Sequence, residues 1–475
     1  MKKLLLLVSV IIAAVIILLC GCDGNGVTKT ENPDGIPESG TELENIDDTP
    51  GTGAEQEQPE EGEISDDFSE IKLNELPIMI ITTKSGAAIV SKEEYTECTI
   101  TVMNAAPEYE FEEVAAGIRG RGNSTWLMPK KPYKLKFDKK IDLFGNGEAK
   151  KWTIIANYCD PSLVRNDLAY AIGGLFDELK GYTTLTQNVD LYFNGEYAGV
   201  YTLCEQVEVG KTRVNISDDI YDKKAGEMIS PEKVGYLIEM DVRAPEEGVE
   251  GIDYFLLDVS PDIQMPFAIK SPDTEDERYS ANYSEYIKAY IEECYAAVCG
   301  EDWSAVASLL DPDSFAATYI VHELFNCIDC GQSSVYFYKV ESGKLYSGPL
   351  WDFDISCGNC NYGDENITSP ELPWAKQINF WYNNLLRFEE FREIVKAQLL
   401  KYDYGILKVI EEKEREYFGQ RSSFERNFTR WKILGVYVWP NSDEIVGITT
   451  WQGQVEYLVN WLKRSLDFLE TEYCK

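Results

Sequence analysis

The spacing of apolar residues changes near residue 281, and this change limits the fold of the chain more than any other feature of the sequence. Before that point, short segments alternate apolar and polar residues, as in "KPYKLKFDKK", where Tyr133, Leu135 and Phe137 share one face. After it, apolar residues recur with the helical period of about 3.6, as in "YSEYIKAYIEECYAAV". A strand-rich half followed by a helix-rich half predicts an α+β fold.

The clearest single element is a hairpin in "NVDLYFNGEYAGVYTLCEQVEV", residues 188–209. Two alternating runs flank Asn194-Gly195, a dipeptide that favours the two-residue turn between antiparallel strands. We therefore predict two paired strands here, inside the strand-rich half.

The first 21 residues have the order of a secretory signal peptide, in which "MKK" precedes the apolar run "LLLLVSVIIAAVIILLC" and "GC" follows. The segment "LCGC" resembles a bacterial lipobox, which implies a lipid on Cys22. The alternative is an uncleaved anchor, because an apolar run of 17 residues is close to the shortest membrane span. Either reading places the rest of the chain at the extracytoplasmic face of a bacterial cell membrane.

Residues 22–70 are predicted to be a disordered acidic tether between that anchor and a folded domain, residues 71–475. The segment holds 16 acidic residues and one lysine, with almost no large apolar side chains to bury. The whole chain carries a net charge of −38. Nucleic-acid binding relies on clustered positive charge, so we expect no nucleic acid as a partner.

The chain contains a single histidine, His322. This largely removes Ser-His-Asp chemistry, Cys-His chemistry and histidine-rich zinc sites. Carboxylates, lysines and arginines remain, an inventory that suits metal-assisted phosphoryl transfer. A lone histidine in a helical segment is more typical of a core or surface group than of a catalyst.

Two carboxylates follow a predicted strand in "WDFD", at Asp352 and Asp354. Buried carboxylates need partners, and a hard divalent cation is a natural one at the end of a strand. The alternative is a surface turn with hydrophobic neighbours. Asp329, in "HELFNCIDCGQSSVYFYK", likewise lies between an apolar helix and a strand.

The stretch "GIRGRGNSTW" places three glycines ahead of the strand that carries Lys134 and Lys136. It is neither a GxGxxG motif nor a Walker loop, so the glycines alone indicate no more than a tight turn. A glycine-rich turn followed by a strand lysine is nevertheless the arrangement of a kinase N-terminal lobe. The alternative is a turn with solvated lysines.

Together these segments resemble the CotH kinase family, named after a spore-coat protein. The resemblance rests on "RGRGNSTW", "PKKPYKLKFDKK", "KKWTIIANYCDPSLVRNDLAYAIG", "LYFNGEYAGVYTLCEQVEV", "RVNI", "GYLIEMD", "HELFNCID" and "GKLYSGPLWDFDISCGN", in the family's order. It implies an atypical protein-kinase-like fold with two lobes, residues 71–215 and 216–475. It also implies ATP and Mg²⁺ or Mn²⁺ as cofactors.

The same resemblance implies roles for the carboxylates. Asp329 matches the family's catalytic aspartate, which accepts the proton of the substrate hydroxyl, and Asp352 matches the metal-binding aspartate. Ordinary kinases carry an asparagine for a second metal ion where this chain has Ser334. Asp354 is therefore a hypothetical compensating metal ligand.

On the nucleotide side, the resemblance makes the glycine-rich turn a phosphate-side loop. Either Lys134 or Lys136 would meet the phosphates, with Glu205 as the partner of that lysine. The predicted ATP-binding residues are Arg119, Gly120, Arg121, Gly122, Asn123, Lys134, Lys136 and Glu205. Arg165 and Asn166 lie in a strongly family-like stretch whose helix could equally serve only packing.

Two cysteine pairs bracket the carboxylate segments. Cys327 and Cys330 flank Asp329, and Cys357 and Cys360 follow "WDFD". Two such pairs suit a tetrahedral zinc site, whereas an extracytoplasmic location favours disulfides or free thiols. The sequence leaves these alternatives open.

The function expected from the sequence is an atypical protein kinase that phosphorylates Ser or Thr of surface or secreted proteins. One alternative is a catalytically weak surface scaffold or adhesion protein that keeps the fold. A second is a relative that transfers AMP instead of phosphate. The sequence does not identify the protein substrate.

Overall fold

The computed structural model describes residues 75–179, 182–361 and 369–475. The predicted signal peptide, the lipidated Cys22 and the acidic tether lie outside these ranges and stay predictions. In the part of the chain that is described, no helix combines the length and the apolar character needed to cross a membrane. A strand-rich half precedes a helix-rich half, which confirms the α+β prediction.

The first half forms a closed barrel of seven strands, in the order β1-β2-β3-β4-β5-β7-β6, where β1 closes on β6 in parallel. The strands are β1 (Ile78–Thr83), β2 (Thr96–Met103), β3 (Phe111–Gly120), β4 (Tyr133–Asp142), β5 (Glu148–Ile155), β6 (Thr186–Phe193) and β7 (Glu196–Glu205). Closure leaves this sheet without free edges.

Alternation along β4 decides which side chains fill the barrel. Leu135 and Phe137 are buried in the barrel's own apolar cluster, whereas Lys134 and Lys136 take the outer positions. The predicted hairpin is β6–β7, and its turn, residues 194–195, has the positive φ angles of +51° and +87° that such turns need.

A second sheet follows the barrel, in the strand order β11-β12-β10-β13-β14. Its strands are β10 (Tyr236–Met240), β11 (Tyr254–Ser260), β12 (Ile263–Ser271), β13 (Val335–Lys339) and β14 (Leu345–Ser347). A small hairpin, β8 (Tyr221–Asp222) with β9 (Glu227–Met228), precedes it.

Helices pack around this second sheet and bury most of its apolar side chains in one large core. They are α1 (Arg165–Gly173), α2 (Ala244–Glu247), α3 (Ala281–Cys299), α4 (Trp303–Leu309), α5 (Pro312–Leu324), α6 (Ala375–Ile378), α7 (Phe380–Leu385), α8 (Glu389–Gly419), α9 (Arg421–Arg430), α10 (Asp443–Gly447) and α11 (Trp451–Cys474).

Helix α5 carries the chain through this core towards the candidate site. Asp311 caps its first turn by accepting a hydrogen bond from the Ser314 backbone N–H at 3.0 Å, and Pro312 takes the first helical position. Nearly all of its side chains are buried, as expected for a helix that runs inside a core. The segment that follows Leu324 leads directly to Asp329.

Candidate active site

Asp329 and Asp352 come from two segments that the second sheet brings side by side. Asp329 begins a short 3-10 helix just before β13, and Asp352 follows β14. Because β13 and β14 are antiparallel neighbours, the chain leaving β14 runs back along the start of β13. There the Ser334 hydroxyl donates a hydrogen bond to Asp352 Oδ2 at 3.2 Å. The register of one strand pair therefore assembles this part of the site.

The two aspartates are partly buried and repel each other. Burial raises the pKa of Asp329 to about 7, and the charge of Asp352 acts in the same direction. Burial also raises the pKa of Asp352, against the opposing effects of the Arg121 charge and the Ser334 hydrogen bond. Both side chains are thus costly as bare anions, and a nearby cation would relieve that cost.

Asp354 is fully enclosed, and one of its carboxylate oxygens is already engaged. The Cys159 thiol donates to Asp354 Oδ2 at 3.2 Å. Burial, followed by the charge of Asp352, raises the pKa of Asp354 well above its usual range. This environment favours the protonated form of Asp354 in the metal-free protein.

Sequence reasoning missed a fourth carboxylate, Asp241, which follows β10. Its Oδ1 accepts hydrogen bonds from the Ser333 hydroxyl at 3.1 Å and from the Arg243 backbone N–H at 3.0 Å. Its charge raises the pKa values of both Asp329 and Asp352, and the Arg243 guanidinium lowers them. The signal that could have found it is "GYLIEMD", where two acidic residues share one face of a buried strand.

The outer face of the barrel carries a row of basic side chains, and one of them, Arg121, reaches this site. Arg119 on β3 pairs in register with Lys134 on β4, and Lys136 pairs with Lys151 on β5. Arg121 follows directly after β3, where its guanidinium lies 5.4 Å from the centre of the Trp351 ring. Since Trp351 precedes Asp352, Arg121 connects the basic row of the barrel to the aspartates.

Lys134 lies within the electrostatic reach of three other cations, Arg119, Lys151 and Arg121. Burial lowers its pKa to about 8, and the positive charges of Arg119 and Lys151 act in the same direction. Within the described ranges, no carboxylate forms an ion pair with Lys134. A partly buried lysine among other cations is well suited to bind an anion such as a phosphate group.

Lys136 has a different setting, although it lies only two residues further along β4. Its side chain is exposed, and its ammonium lies 5.6 Å from the centre of the Tyr95 ring. The Arg119 guanidinium lies above the same ring at 4.9 Å and bonds to the Glu93 carbonyl at 3.1 Å. Of the two candidate lysines, Lys134 is the partly buried one, and the charges of Arg119 and Arg121 both act on it.

Local packing accounts for the glycines of "RGRGN". A side chain at Gly120 would overlap the Trp126 ring, and one at Gly122 would overlap the Thr125 hydroxyl. Gly122 also has a φ of +79°, which favours glycine. Asn123 precedes a short 3-10 helix without capping it. These residues shape the turn that carries Arg121 to the site.

Glu205 does not pair with either candidate lysine. It forms an ion pair with Arg213 at 3.8 Å, and its Oε2 accepts a hydrogen bond from the Leu185 backbone N–H at 3.1 Å. Burial raises its pKa to about 7. Sequence reasoning could not foresee this pairing, because Arg213 reaches Glu205 from the loop after β7.

His322 is a core residue beneath the site. Its Nδ1 lies 2.9 Å from the Tyr382 hydroxyl, and its ring stacks on Phe353 at 5.5 Å. Burial lowers its pKa to about 3, so the ring is neutral. It supports the segment that carries Asp352 from below.

Cys327, Cys330 and Cys357 of the two bracketing pairs are free thiols. Cys327, Cys330 and Cys357 belong to the main core, whereas Cys360 packs with Cys159 in a separate small cluster. In the residues that the structure describes, no three His, Cys, Asp or Glu side chains are arranged as a metal centre. A tetrahedral zinc site is therefore not formed by this arrangement of the two pairs.

Comparison with known proteins places the chain in a family. A family model described as "CotH kinase protein" matches residues 118–469, which is most of the chain. No curated protein matches it. The chain therefore belongs to the CotH kinase family and is an atypical kinase-like protein.

Proposed function

We propose that this member of the CotH kinase family transfers the γ-phosphate of ATP to serine or threonine hydroxyls of surface or secreted proteins, with the help of Mg²⁺ or Mn²⁺. The observation that carries the proposal is the meeting of Asp329 and Asp352, from two separate segments, beside Arg121, which continues the basic row that contains Lys134. Phosphoryl transfer requires that combination of an acidic side and a basic side.

The carboxylates of this site fit a divalent cation. Burial and like charges disfavour Asp352 and Asp354 as bare anions, and a bound cation reverses that effect. Asp352 would hold the ion, with Asp354 as the second candidate ligand. Mg²⁺ commonly uses one or two protein carboxylates and completes its shell with phosphate oxygens and waters. When bound, the ion would neutralise phosphate charge.

Asp329 serves as the proton acceptor for the substrate hydroxyl. A general base works best when its pKa lies near the working pH, and burial raises the pKa of Asp329 to about 7. The Gln332 amide, 3.5 Å from Asp329 Oδ1, helps to orient the carboxylate.

Lys134 and Arg121 hold the phosphate groups from the barrel side. Lys134 has like-charged neighbours and no carboxylate partner among the described residues, so an anionic ligand lowers its energy more than that of the exposed Lys136. Arg243, in the turn after β10, acts on the same aspartates and adds a third positive charge at the reacting end.

The signal peptide and lipobox-like segment support a place at the extracytoplasmic face of the membrane. A lipid on Cys22 would anchor the chain there, and the tether would let the kinase domain reach proteins at the cell surface. Substrates at that surface or in the secreted fraction fit this location.

The test uses the full chain in detergent, with Mn²⁺ or Mg²⁺ and ATP labelled separately at the γ and α positions. We expect γ label on acceptor protein, and we expect Asp329→Ala and Asp352→Ala to lose it. Label from the α position would instead show AMP transfer. The absence of label, together with no thermal shift from nucleotide and metal, would overturn the enzyme reading in favour of a scaffold.

A further inference from the structure

The backbone at Asp352 adopts a conformation that this residue type rarely takes. Its φ is +67°, in the left-handed region that favours glycine. A non-glycine residue stays there only when its surroundings fix it in place. The contacts that fix Asp352 therefore bear on where its carboxylate lies.

Helix α1 supplies those contacts through two side-chain acceptors. The Asp352 backbone N–H donates to the Tyr170 hydroxyl at 3.2 Å, and the Phe353 backbone N–H donates to Asn166 Oδ1 at 2.7 Å. The Tyr170 hydroxyl in turn donates to Asn166 Oδ1 at 3.3 Å. Two consecutive peptide groups thus bond to one turn of one helix.

The rings around Tyr170 strengthen the same contact. Trp351 stacks on Tyr170 with the ring centres 6.0 Å apart, and Phe353 meets it edge-on at 6.2 Å. The rings of Trp351 and Phe353 and the backbone of Asp352 therefore all contact Tyr170.

A buried hydrogen-bond chain connects this contact to the barrel. Asn166 Nδ2 donates to Asn157 Oδ1 at 3.2 Å, and Asn157 Nδ2 donates to the Thr202 hydroxyl at 2.8 Å. The Thr202 hydroxyl donates to Asn188 at 2.7 Å. Strands β6 and β7 of the basic barrel are thereby linked to the aspartate segment.

Arg165, the first residue of α1, holds the rest of that segment. Its Nε donates to the Ser356 carbonyl at 3.0 Å, and its guanidinium forms an enclosed ion pair with Asp160. Removal of either partner of such a pair would leave an uncompensated buried charge, so the pair keeps Arg165 in this position. Helix α1 therefore contacts this segment near its start, at Asp352 and Phe353, and near its end, at Ser356.

We propose that Asn166 and Tyr170 are positioning residues, which hold Asp352 in its left-handed conformation and so aim its carboxylate at the metal ion. The part of the inference that concerns the metal ion rests on the proposed function. The part that concerns the conformation of Asp352 does not. A role in packing alone would lower stability without changing the Asp352 segment locally. The two roles therefore differ in what they predict for that segment.

Tyr170→Phe is the sharpest variant, because it removes one hydroxyl and keeps the stacked ring. Tyr283→Phe is its matched control, since Tyr283 is equally buried and donates to the Ile229 carbonyl at 2.6 Å, far along the chain from this site. Asn166→Ala removes the second acceptor.

The first measurement is amide hydrogen exchange of peptides covering residues 350–357 in the metal-free full chain. We expect about tenfold faster exchange in Tyr170→Phe and more in Asn166→Ala, with no local change in Tyr283→Phe. Unchanged exchange in both α1 variants would overturn the inference. This readout does not depend on activity.

The second measurement is the dissociation constant for Mn²⁺ with ATP. We expect it to rise about tenfold in Tyr170→Phe, as for other residues that orient a metal ligand, and to stay at the wild-type value in Tyr283→Phe. Equal affinity in Tyr170→Phe and wild type would overturn the positioning role. If wild type bound no Mn²⁺ with ATP, the proposed function would fail, whereas the exchange data would still decide whether α1 holds the segment.

Discussion

The basic row on the barrel and the aspartate cluster at the second sheet each contain a side chain whose pKa is shifted towards its neutral form. The two shifts have opposite directions. Burial and neighbouring cations lower the pKa of Lys134 to about 8. Burial and a neighbouring anion raise the pKa of Asp329 to about 7. In each region, burial and like charges therefore disfavour the charged form of one side chain, Lys134 or Asp329, in the unliganded protein.

The contrast lies in what would relieve each region. The basic row requires an anion and the aspartate cluster requires a cation, and ATP with a divalent metal ion supplies both. Arg121 lies above Trp351 and within the electrostatic reach of Asp352, so it connects the basic row to the aspartate cluster. Shifted pKa values in both regions are expected of a binding site. In a purely structural arrangement, the lysine and the aspartates would have formed an ion pair with each other.

The largest effects should come from the aspartate cluster. We expect Asp329→Asn and Asp352→Asn each to lower kcat about a thousandfold or more, because one loses the proton acceptor and the other the metal ligand. Only Asp352→Asn should also abolish binding of Mn²⁺ with ATP, measured by calorimetry. The matched control is Asp262→Asn, at the exposed turn between β11 and β12, which should behave as wild type. Loss of nucleotide binding in both variants would show that the two aspartates do not have separate roles.

The basic row gives the next largest effect. Lys134→Met should raise the KM for ATP about tenfold to a hundredfold, because it removes a cation from the phosphate side. Lys136→Met, two residues along the same strand, should change it less than about twofold, because its exposed charge is screened by solvent. Equal effects of the two variants on the KM for ATP would mean that the partly buried position of Lys134 does not make it the lysine that contacts the phosphates.

The lowered pKa of Lys134 should make the free energy of unfolding of the metal-free protein depend on pH. Its pKa is lowered from 10.5 to about 8 in the folded state, so the unfolded state binds more protons between those pH values. The free energy of unfolding should therefore gain a contribution from this group as the pH rises from about 8 to 10.5. In Lys134→Met that contribution should be absent, so the variant should exceed wild type in stability most clearly below pH 8.

Urea unfolding of both proteins at pH 7.5 and 10.5, without metal or nucleotide, measures the difference. A stability gap between variant and wild type that does not shrink as the pH rises would contradict the lowered pKa of Lys134. Lys136→Met, at the exposed position two residues along the same strand, serves as the control for the substitution itself.

The sequence predicts the elements of the site better than their pairing. Alternation identifies Lys134 as an outer position of β4, and "WDFD" identifies Asp352, because both signals are local. Glu205 is the counterexample, since its partner Arg213 is set by how the loop after β7 packs. Such contacts depend on tertiary packing, which no local spacing encodes.

Asp241 is a site residue that the sequence did not predict, again because its position depends on tertiary structure. It follows β10, about ninety residues before Asp329, and reaches the site because β10 pairs with β13. Strand order within a sheet cannot be read from the period of each strand. The glycines of "RGRGN" illustrate a third case, because their packing against Trp126 and Thr125 accounts for them without a ligand.

Asp354 should give the smallest effect, and it tests how far the aspartate cluster extends. Its environment favours the protonated carboxyl, which asparagine resembles in shape, and one oxygen already accepts from the Cys159 thiol. We therefore expect Asp354→Asn to weaken binding of Mn²⁺ with ATP less than about threefold, against the complete loss in Asp352→Asn. If calorimetry showed instead that Asp354→Asn abolishes binding, Asp354 would be a metal ligand that leaves Cys159 when the ion arrives. The cluster would then hold the ion with both carboxylates of "WDFD". Asp354 would in that case replace the asparagine ligand that ordinary kinases carry at the position of Ser334, as the sequence suggests.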